Sequence, residues 1–301
     1  MLPDLRGDEV AKTLSSGSTI RQLVEEAAAE LRGAGVSDAV RQARDLLQIA
    51  TRLESAFIFA HPEFSPDESE ISSFRDLVSR RSAREPLQQI RGRQEFFGLE
   101  YKVTRDVMIP RPETELIVEE GISLLSGVAN PSVCEVGTGS GCIIVSLLHG
   151  MPDAIGIGLE KSPDALAITL ENAVSNGVVE RLELRESDVF GALKQGESFD
   201  LIVSNPPYVP LEDVSSLQPE VRDFEPQMAL TDGGDGLGIV EQIVNEAPAF
   251  LKAGGHLLLE IGFSQSPAVL RMFDPGIWSK SGAFADLQGI PRMIRASLSA
   301  S

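Results

Sequence analysis

The first third of the chain carries apolar residues at helical spacing. From Ile20 to Leu31 they recur three or four positions apart, which is typical of an amphipathic helix. A second run from about Asp38 to Leu53 has the same period, and shorter amphipathic segments follow. We therefore predict a disordered tail over residues 1–18 and a small helical domain over residues 19–86.

The period then changes from helical to alternating. Between residues 87 and 104, apolar side chains tend to alternate with polar ones around two glycines, which predicts a β-hairpin linker between domains. From residue 131 a strand, turn and helix pattern repeats, so over residues 105–301 we predict an α/β domain whose mostly parallel sheet is covered on both faces. The predicted strands are residues 132–136, 154–159, 182–185, 199–203, 256–261, 283–287 and 293–298.

Composition and charge narrow the class of protein. The 301 residues are 42% hydrophobic, which suits one large and one small domain. Acids outnumber Lys and Arg by 45 to 26, a balance that disfavours direct binding of nucleic acid through its phosphates. Cys134 and Cys142 suit apolar packing in a reducing compartment, and no disulfide framework, metal site or membrane span is predicted. We expect a cytoplasmic protein.

One candidate site follows the predicted strand over residues 199–203. In parallel sheets ligands bind beyond the carboxyl ends of strands, and Asn205-Pro206-Pro207-Tyr208 stands at such an end. The prolines leave the carbonyls of Asn205 and Pro206 free, and with the Asn205 carboxamide oxygen they would suit a planar NH2 group. Tyr208 could form an aromatic wall. Alternatively, the tetrapeptide is only a turn leaving the strand.

A second candidate site lies on three earlier strand ends. A glycine-rich turn opens a helix with Gly137, Thr138, Gly139, Ser140 and Gly141. Its spacing departs from the dinucleotide motif, and alone it is weak evidence. Glu160 ends the next strand, where it could take ribose hydroxyls or simply start a helix. Asp188, Val189 and Phe190 follow the third strand and could hold an adenine. S-adenosylmethionine fits this set.

Four segments carry a resemblance to a known family: Ile109–Glu115, Glu135–Gly141, Asn205–Val209 and Glu220–Pro226. With their neighbours from about residue 20 to residue 298, they closely resemble the PrmC/HemK family, the N5-glutamine methyltransferases of peptide chain release factors. The resemblance implies a class I S-adenosylmethionine-dependent methyltransferase fold, Rossmann-like, with a seven-stranded sheet whose last strand is antiparallel. It also implies that the helical domain recognises the release factor.

The resemblance also assigns roles to individual residues. It implies that Gly137–Gly141 surround the methionine part of S-adenosylmethionine, that Glu160 holds the ribose and that Val189 borders the adenine. Asn205 and the Pro206 carbonyl would hold the glutamine amide in the Gly-Gly-Gln tip of a class 1 release factor. The products would be the methylated glutamine and S-adenosylhomocysteine.

Two departures and one open position qualify this assignment. Glu160 stands where the family often has aspartate, and Val189 stands where tryptophan can occur, so adenine stacking could fall to Phe190. Arg111, between two prolines, is either part of a helix start or a fixed wall of the substrate pocket. Pro207 and Tyr208 are expected on the substrate side.

Three other functions remain open at this point. The chain could methylate glutamine in a ribosomal protein with the same motif. Because adenine-N6 methyltransferases share Asn-Pro-Pro-Tyr, it could act on nucleic acid, although its acidic charge disfavours this. It could also be a non-catalytic module that retains a nucleoside pocket.

Overall fold

The computed structural model describes residues 18–300, so the tail predicted over residues 1–18 lies outside the described residues except for Ser18. The described chain forms two compact units, which divide in sequence between Arg91 and Gly92. The first is helical and the second is built on a sheet. Each is described separately.

The first unit is a helical bundle with its own core. Thr19 caps the first helix with a reciprocal capping box to Gln22, as its residue type predicts. The apolar face from Ile20 to Leu31 is buried, and it packs with Phe74 and Val78 in one hydrophobic cluster. The helices are α1 Ile20–Gly33, α2 Ala39–Thr51, α3 Ser55–Ala60, α4 Glu68–Ser82 and α5 Leu87–Arg91.

The predicted hairpin over residues 87–104 is wrong in its first five residues, because Leu87–Arg91 is helix α5. Pro86 precedes the helix, its carbonyl accepts a hydrogen bond from the Ile90 amide, and Gly92 ends the turn at φ +76°. Leu87 and Ile90, one turn apart, pack against the helical core. A single buried turn of this kind cannot be told from an alternating strand by period alone.

The hairpin itself begins at Arg93 and belongs to the second unit. Strands β1 Arg93–Phe96 and β2 Leu99–Lys102 pair antiparallel. Phe97 and Gly98 between them both have positive φ, as a two-residue type I′ turn requires. Tyr101 is fully buried and its hydroxyl lies 2.7 Å from Ser146 Oγ, so the hairpin packs into this unit.

Seven of the described strands form one mostly parallel sheet in the order β5-β4-β3-β6-β7-β9-β8. The last strand in sequence, β9, runs antiparallel to both neighbours, as the resemblance implies. The strands are β3 Ser132–Val136, β4 Ile155–Glu160, β5 Leu182–Glu186, β6 Phe199–Ser204, β7 Leu251–Glu260, β8 Trp278–Ala285 and β9 Pro291–Leu298.

Helices cover both faces of this sheet because the strands alternate their apolar side chains between two cores. Along β6, Leu201 and Val203 belong to one hydrophobic cluster and Ile202 to the other. The helices are α6 Glu115–Leu124, α7 Cys142–Gly150, α8 Pro163–Ser175, α9 Pro219–Arg222, α10 Gln227–Leu230, α11 Gly238–Glu246 and α12 Ser266–Leu270. Among residues 18–300, no helix has the length and apolarity needed to cross a membrane.

Candidate active site

A cavity of about 370 Å³ opens at the carboxyl ends of β3, β4, β5 and β6. Its volume falls within the usual range for small-molecule sites. It lies beside β3, where the strand order reverses: the chain passes from β3 to β4 and β5 on one side and then crosses to β6 on the other. Open parallel sheets bind ligands at such a position. Of the residues predicted for the site, those that line it are Gly137, Thr138, Gly139, Ser140, Glu160, Asp188, Val189, Asn205 and Pro207.

The glycine-rich turn shapes one wall of this cavity. Gly137 and Gly139 have φ of +75° and +54°, and a Cβ on either would meet no other atom within 4 Å. Their positive φ leaves backbone exposed to the cavity, which a side chain would otherwise fill. Gly141 has another reason to be glycine: a Cβ there would lie 2.7 Å from Thr169 Cγ2, and it does not line the cavity.

Glu160 joins the glycine turn to the loop after β4. Its Oε2 accepts a hydrogen bond from the Gly139 amide and its Oε1 accepts one from the Ser162 amide, each at 2.9 Å. Each carboxylate oxygen has a further lone pair for a ligand hydroxyl. The side chain is nearly buried and lines the cavity, so the carboxylate is held in place for a diol.

The loop after β5 forms the far end of the cavity. Asp188 lines it and forms an exposed ion pair with Lys161 at 3.0 Å. Val189 has φ +46°, a rare conformation for a β-branched residue, and Ser187 Oγ donates to its carbonyl. The predicted place of Phe190 in this pocket needs correction, because its ring is buried against Phe250 and does not line the cavity. Of the two, only Val189 lines the cavity.

Glu135 is a cavity residue that the sequence did not single out. It precedes the glycine turn, and its Oε2 accepts a hydrogen bond from the Ile144 amide at 3.0 Å near the start of α7. Complete burial raises the pKa of this carboxyl well above its ordinary value. The sequence does contain a signal for Glu135, since it is an acid within the mostly apolar strand β3.

The Asn205–Tyr208 segment is fixed by neighbours on several loops. Asn205 lines the cavity and its Nδ2 donates to Thr114 Oγ1 at 3.3 Å. Gln265 Nε2 donates to the Tyr208 carbonyl at 2.9 Å. A Cβ on Gly236 would lie 2.2 Å from that carbonyl oxygen, so only glycine fits there. Pro206 and Tyr208 belong to this segment but do not line the cavity.

A buried carboxylate, Glu260, stands behind this segment at the end of β7. Its Oε2 accepts from the Thr114 hydroxyl at 2.6 Å, and its Oε1 accepts from the Tyr208 hydroxyl at 3.2 Å. Burial raises the pKa of Glu260 to about 7, although both hydrogen bonds oppose this rise. Burial also raises the pKa of the Tyr208 phenol, which is therefore a hydrogen-bond donor at neutral pH. Neither Thr114 nor Glu260 was predicted.

Arg111 lies outside the cavity lining. Its guanidinium donates to Glu225 Oε1 at 2.5 Å, and Glu225 Oε2 accepts from the Ile109 amide at 3.4 Å. Burial raises the pKa of the Glu225 carboxyl, and Arg111 works against that rise. The pair ties the loop before α6 to the loop before α10.

A doubly wound seven-stranded sheet whose last strand is antiparallel, with a glycine turn after β3 and an acid ending β4, is the arrangement of class I methyltransferases. Residues 22–92 match the PrmC N-terminal domain, and residues 118–218 match the methyltransferase small domain. The release factor glutamine methyltransferase of Cereibacter sphaeroides is 43% identical over 273 residues, covering 90% of this chain and 95% of that protein. The chain therefore belongs to the release factor glutamine methyltransferase family.

One further relative agrees with this membership, and one solved structure shares the fold. The release factor glutamine methyltransferase of Geobacter sulfurreducens is 41% identical over 276 residues, covering 92% of this chain and 95% of that protein. The hMettl16 catalytic domain, solved in complex with MAT2A 3′UTR hairpin 6, aligns with a TM-score of 0.54 at 16% identity. That alignment covers 75% of this chain and 82% of the other, and it shows a shared fold alone.

Proposed function

We propose that this chain transfers a methyl group from S-adenosylmethionine to the side-chain amide nitrogen of the glutamine in the Gly-Gly-Gln tip of class 1 peptide chain release factors. The observation that carries the proposal is the orientation of the Asn205 carboxamide. Its Nδ2 is engaged by Thr114, which leaves Oδ1 to accept a hydrogen bond from a substrate at the cavity. Acceptors at this point suit an amide NH2 group.

The cavity residues fit the proposed cofactor. Glu160 offers carboxylate oxygens to a ribose diol, and the glycine turn leaves room for a close backbone approach. Val189 offers an apolar edge and Asp188 a carboxylate for an adenine. When bound, S-adenosylmethionine would supply an electrophilic methyl group on its sulfonium. We assign to these residues the tasks of holding and orienting it.

On the substrate side, the chain acts through position rather than through a strong base. An amide nitrogen is a poor nucleophile because its lone pair is delocalised. If Asn205 Oδ1 and the Pro206 carbonyl accept its two hydrogens, the nitrogen is aimed at the methyl group and its protons are shielded from water. The proton can leave after transfer, when the nitrogen is positively charged. The proposed substrate places this activity in the cytoplasm.

The test is mass spectrometry of a purified class 1 release factor after incubation with the protein and methyl-labelled S-adenosylmethionine. We expect one added methyl group on the glutamine of the Gly-Gly-Gln tip. Asn205→Ala should slow transfer by roughly 30- to 1000-fold, the loss of about 2–4 kcal/mol expected for one preorganised polar contact. Label found only in a ribosomal protein or in RNA would contradict the proposed substrate.

A further inference from the structure

Four side chains from three segments form one continuous hydrogen-bonded chain beside the cavity. Asn205 follows β6, Thr114 precedes α6, Glu260 ends β7, and Tyr208 lies beyond the two prolines. The donor atoms are Asn205 Nδ2, the Thr114 hydroxyl and the Tyr208 hydroxyl. Both carboxylate oxygens of Glu260 are acceptors, and the residue is 4% exposed.

The direction of these hydrogen bonds follows from counting protons. Thr114 has one hydroxyl proton, and the 2.6 Å contact with Glu260 uses it. Only lone pairs of Thr114 then face Asn205, so the carboxamide must present its NH2 group to Thr114. An ionised Glu260 therefore turns Asn205 Oδ1 away from Thr114 and leaves it for the substrate.

We propose that Glu260 is a positioning residue, which acts through Thr114 to hold the Asn205 carboxamide with its oxygen toward the substrate amide; this rests on the proposed function. Glu260 itself does not reach the reacting atoms. A neutral carboxyl group would not enforce the same arrangement. It could donate to Thr114, whose own proton would then face Asn205 and favour the flipped carboxamide. The flipped carboxamide would point its NH2 group at the NH2 group of the glutamine, and two donors cannot form a hydrogen bond.

Activity should consequently require ionised Glu260. The groups that face it are Arg292 of β9, Glu113 beside Thr114, the Tyr208 phenol and the Cys142 thiol. Burial raises the pKa of Glu260 to about 7, against the Thr114 and Tyr208 hydroxyls and Arg292, which lower it, and Glu113 adds to the rise. The carboxyl therefore ionises as pH rises through neutrality. The substrate amide itself does not titrate in this range.

The first test is kinetic and uses the full chain with a class 1 release factor. For the wild type, we expect kcat at saturating cofactor to fall about tenfold per pH unit below a midpoint near 7. Glu260→Gln should abolish this acidic limb and lower kcat at pH 8 by at least about fivefold, because one amide oxygen cannot accept from both hydroxyls. Glu241→Gln, on the exposed face of α11, is the matched control.

Variants of Thr114 provide a second, independent kinetic test. Thr114→Val keeps the shape but removes the hydroxyl, and we expect kcat at pH 8 to fall at least about tenfold as Asn205 loses its orienting partner. S-adenosylhomocysteine affinity should change less than about twofold, since the cofactor residues are untouched. Thr114→Ser restores the hydroxyl and should recover kcat to within about threefold. An unchanged kcat in Thr114→Val would contradict the positioning role.

The last test is an NMR titration that needs no substrate. The side-chain amide NMR signals of Asn205, assigned by their loss in Asn205→Ala, should shift with a midpoint near pH 7 in the wild type and stay fixed in Glu260→Gln. If those signals titrate as expected while release factor is never methylated, the positioning role stands and the proposed substrate is wrong. If methylation occurs but Glu260→Gln keeps the wild-type acidic limb, the positioning role is wrong and the proposed function stands.

Discussion

At the scale of single residues, the hydroxyl of Tyr208 controls how readily Glu260 ionises. The phenol donates to Glu260 Oε1, and this bond lowers the pKa of the carboxyl. Tyr208→Phe removes that donor, so the pKa of Glu260 should rise. Since the ionised form is the active one, we expect the acidic limb of kcat to move upward by about 0.5–1 pH unit. A pH profile from pH 5.5 to 9 measures the shift.

A double variant provides the control for this prediction. In Glu260→Gln, the added Tyr208→Phe change should leave the profile without an acidic limb, because no carboxyl remains to titrate. A limb that moves to lower pH in Tyr208→Phe would contradict the direction derived from the hydrogen bond.

The sequence predicted the residues that line the cavity better than it predicted the residues behind them. Asn205, Glu160 and the glycine turn stand out because each follows an apolar strand directly. Glu260 also ends a strand, but its significance depends on Thr114, which is 146 positions away in sequence. Periodicity carries no information about such a pair. The position of Phe190 was missed for the same reason, since its contact with Phe250 is tertiary.

At the scale of elements, the loop from Thr231 to Gly236 sets the position of the Asn205–Tyr208 segment. Gly233 and Gly236 both have positive φ, so alanine is strained at either position. Only at Gly236 would the new Cβ also meet the Tyr208 carbonyl oxygen, at 2.2 Å, whereas at Gly233 it meets no atom within 4 Å. We expect Gly236→Ala to lower kcat at least about tenfold more than Gly233→Ala, measured by methyl transfer to release factor.

The Gly233→Ala variant is the control for strain, since both changes should cost about 1–2 kcal/mol of stability from the backbone alone. Equal losses of activity in the two variants would mean that the backbone contact with Tyr208 does not matter for catalysis.

The ion pair between Arg111 and Glu225 joins two other segments around the site. The Glu225 side chain is 1% exposed, so Arg111→Met would leave a buried carboxylate without its counter-charge. We expect a loss of about 2–4 kcal/mol in the free energy of unfolding, somewhat below the usual range because Arg111 is partly exposed. Chemical denaturation measures it. The double variant with Glu225→Gln should recover part of the loss.

This pair also tests the predicted role of Arg111 in substrate binding. If Arg111 also contacts the release factor, Arg111→Met should raise KM for release factor at a temperature at which the variant is still folded, and an unchanged KM would contradict that role.

The predicted boundaries of elements were wrong where a single residue interrupted the periodic pattern. Strand β7, predicted from residue 256, already begins at Leu251, since helix α11 ends at Glu246 and Pro248 prevents its continuation. The last sheet pair also starts earlier than predicted, at Trp278. The five parallel strands were nevertheless recoverable from the sequence, since most of them contain apolar runs and β5, Leu182–Glu186, alternates leucine with charged residues.

At the scale of the whole molecule, fold and charge constrain the substrate differently. Class I folds act on many substrates, so the likeness to an RNA-bound catalytic domain does not select one. The net charge of -19 opposes binding through phosphates and permits a basic protein partner. We therefore still expect no direct nucleic-acid binding, and the helical unit is the predicted contact for release factor.

The division of the chain allows that last expectation to be tested. The helical unit has its own core from Ile20 to Ile90, the sheet unit has separate hydrophobic clusters, and every residue that lines the cavity belongs to the sheet unit. A fragment over residues 92–301 should therefore fold and bind S-adenosylhomocysteine with an affinity within about threefold of the full chain. Calorimetric titration of both proteins provides this control.

With folding established, the fragment separates local from remote recognition. On a short Gly-Gly-Gln peptide, which offers no contact outside the active site, fragment and full chain should have similar kcat/KM. On an intact release factor, we expect the fragment to lose at least about tenfold in kcat/KM, because binding energy from remote contacts no longer supports transfer. Equal rates on the intact substrate would show that the helical unit has another task, and the sheet unit alone would then account for specificity.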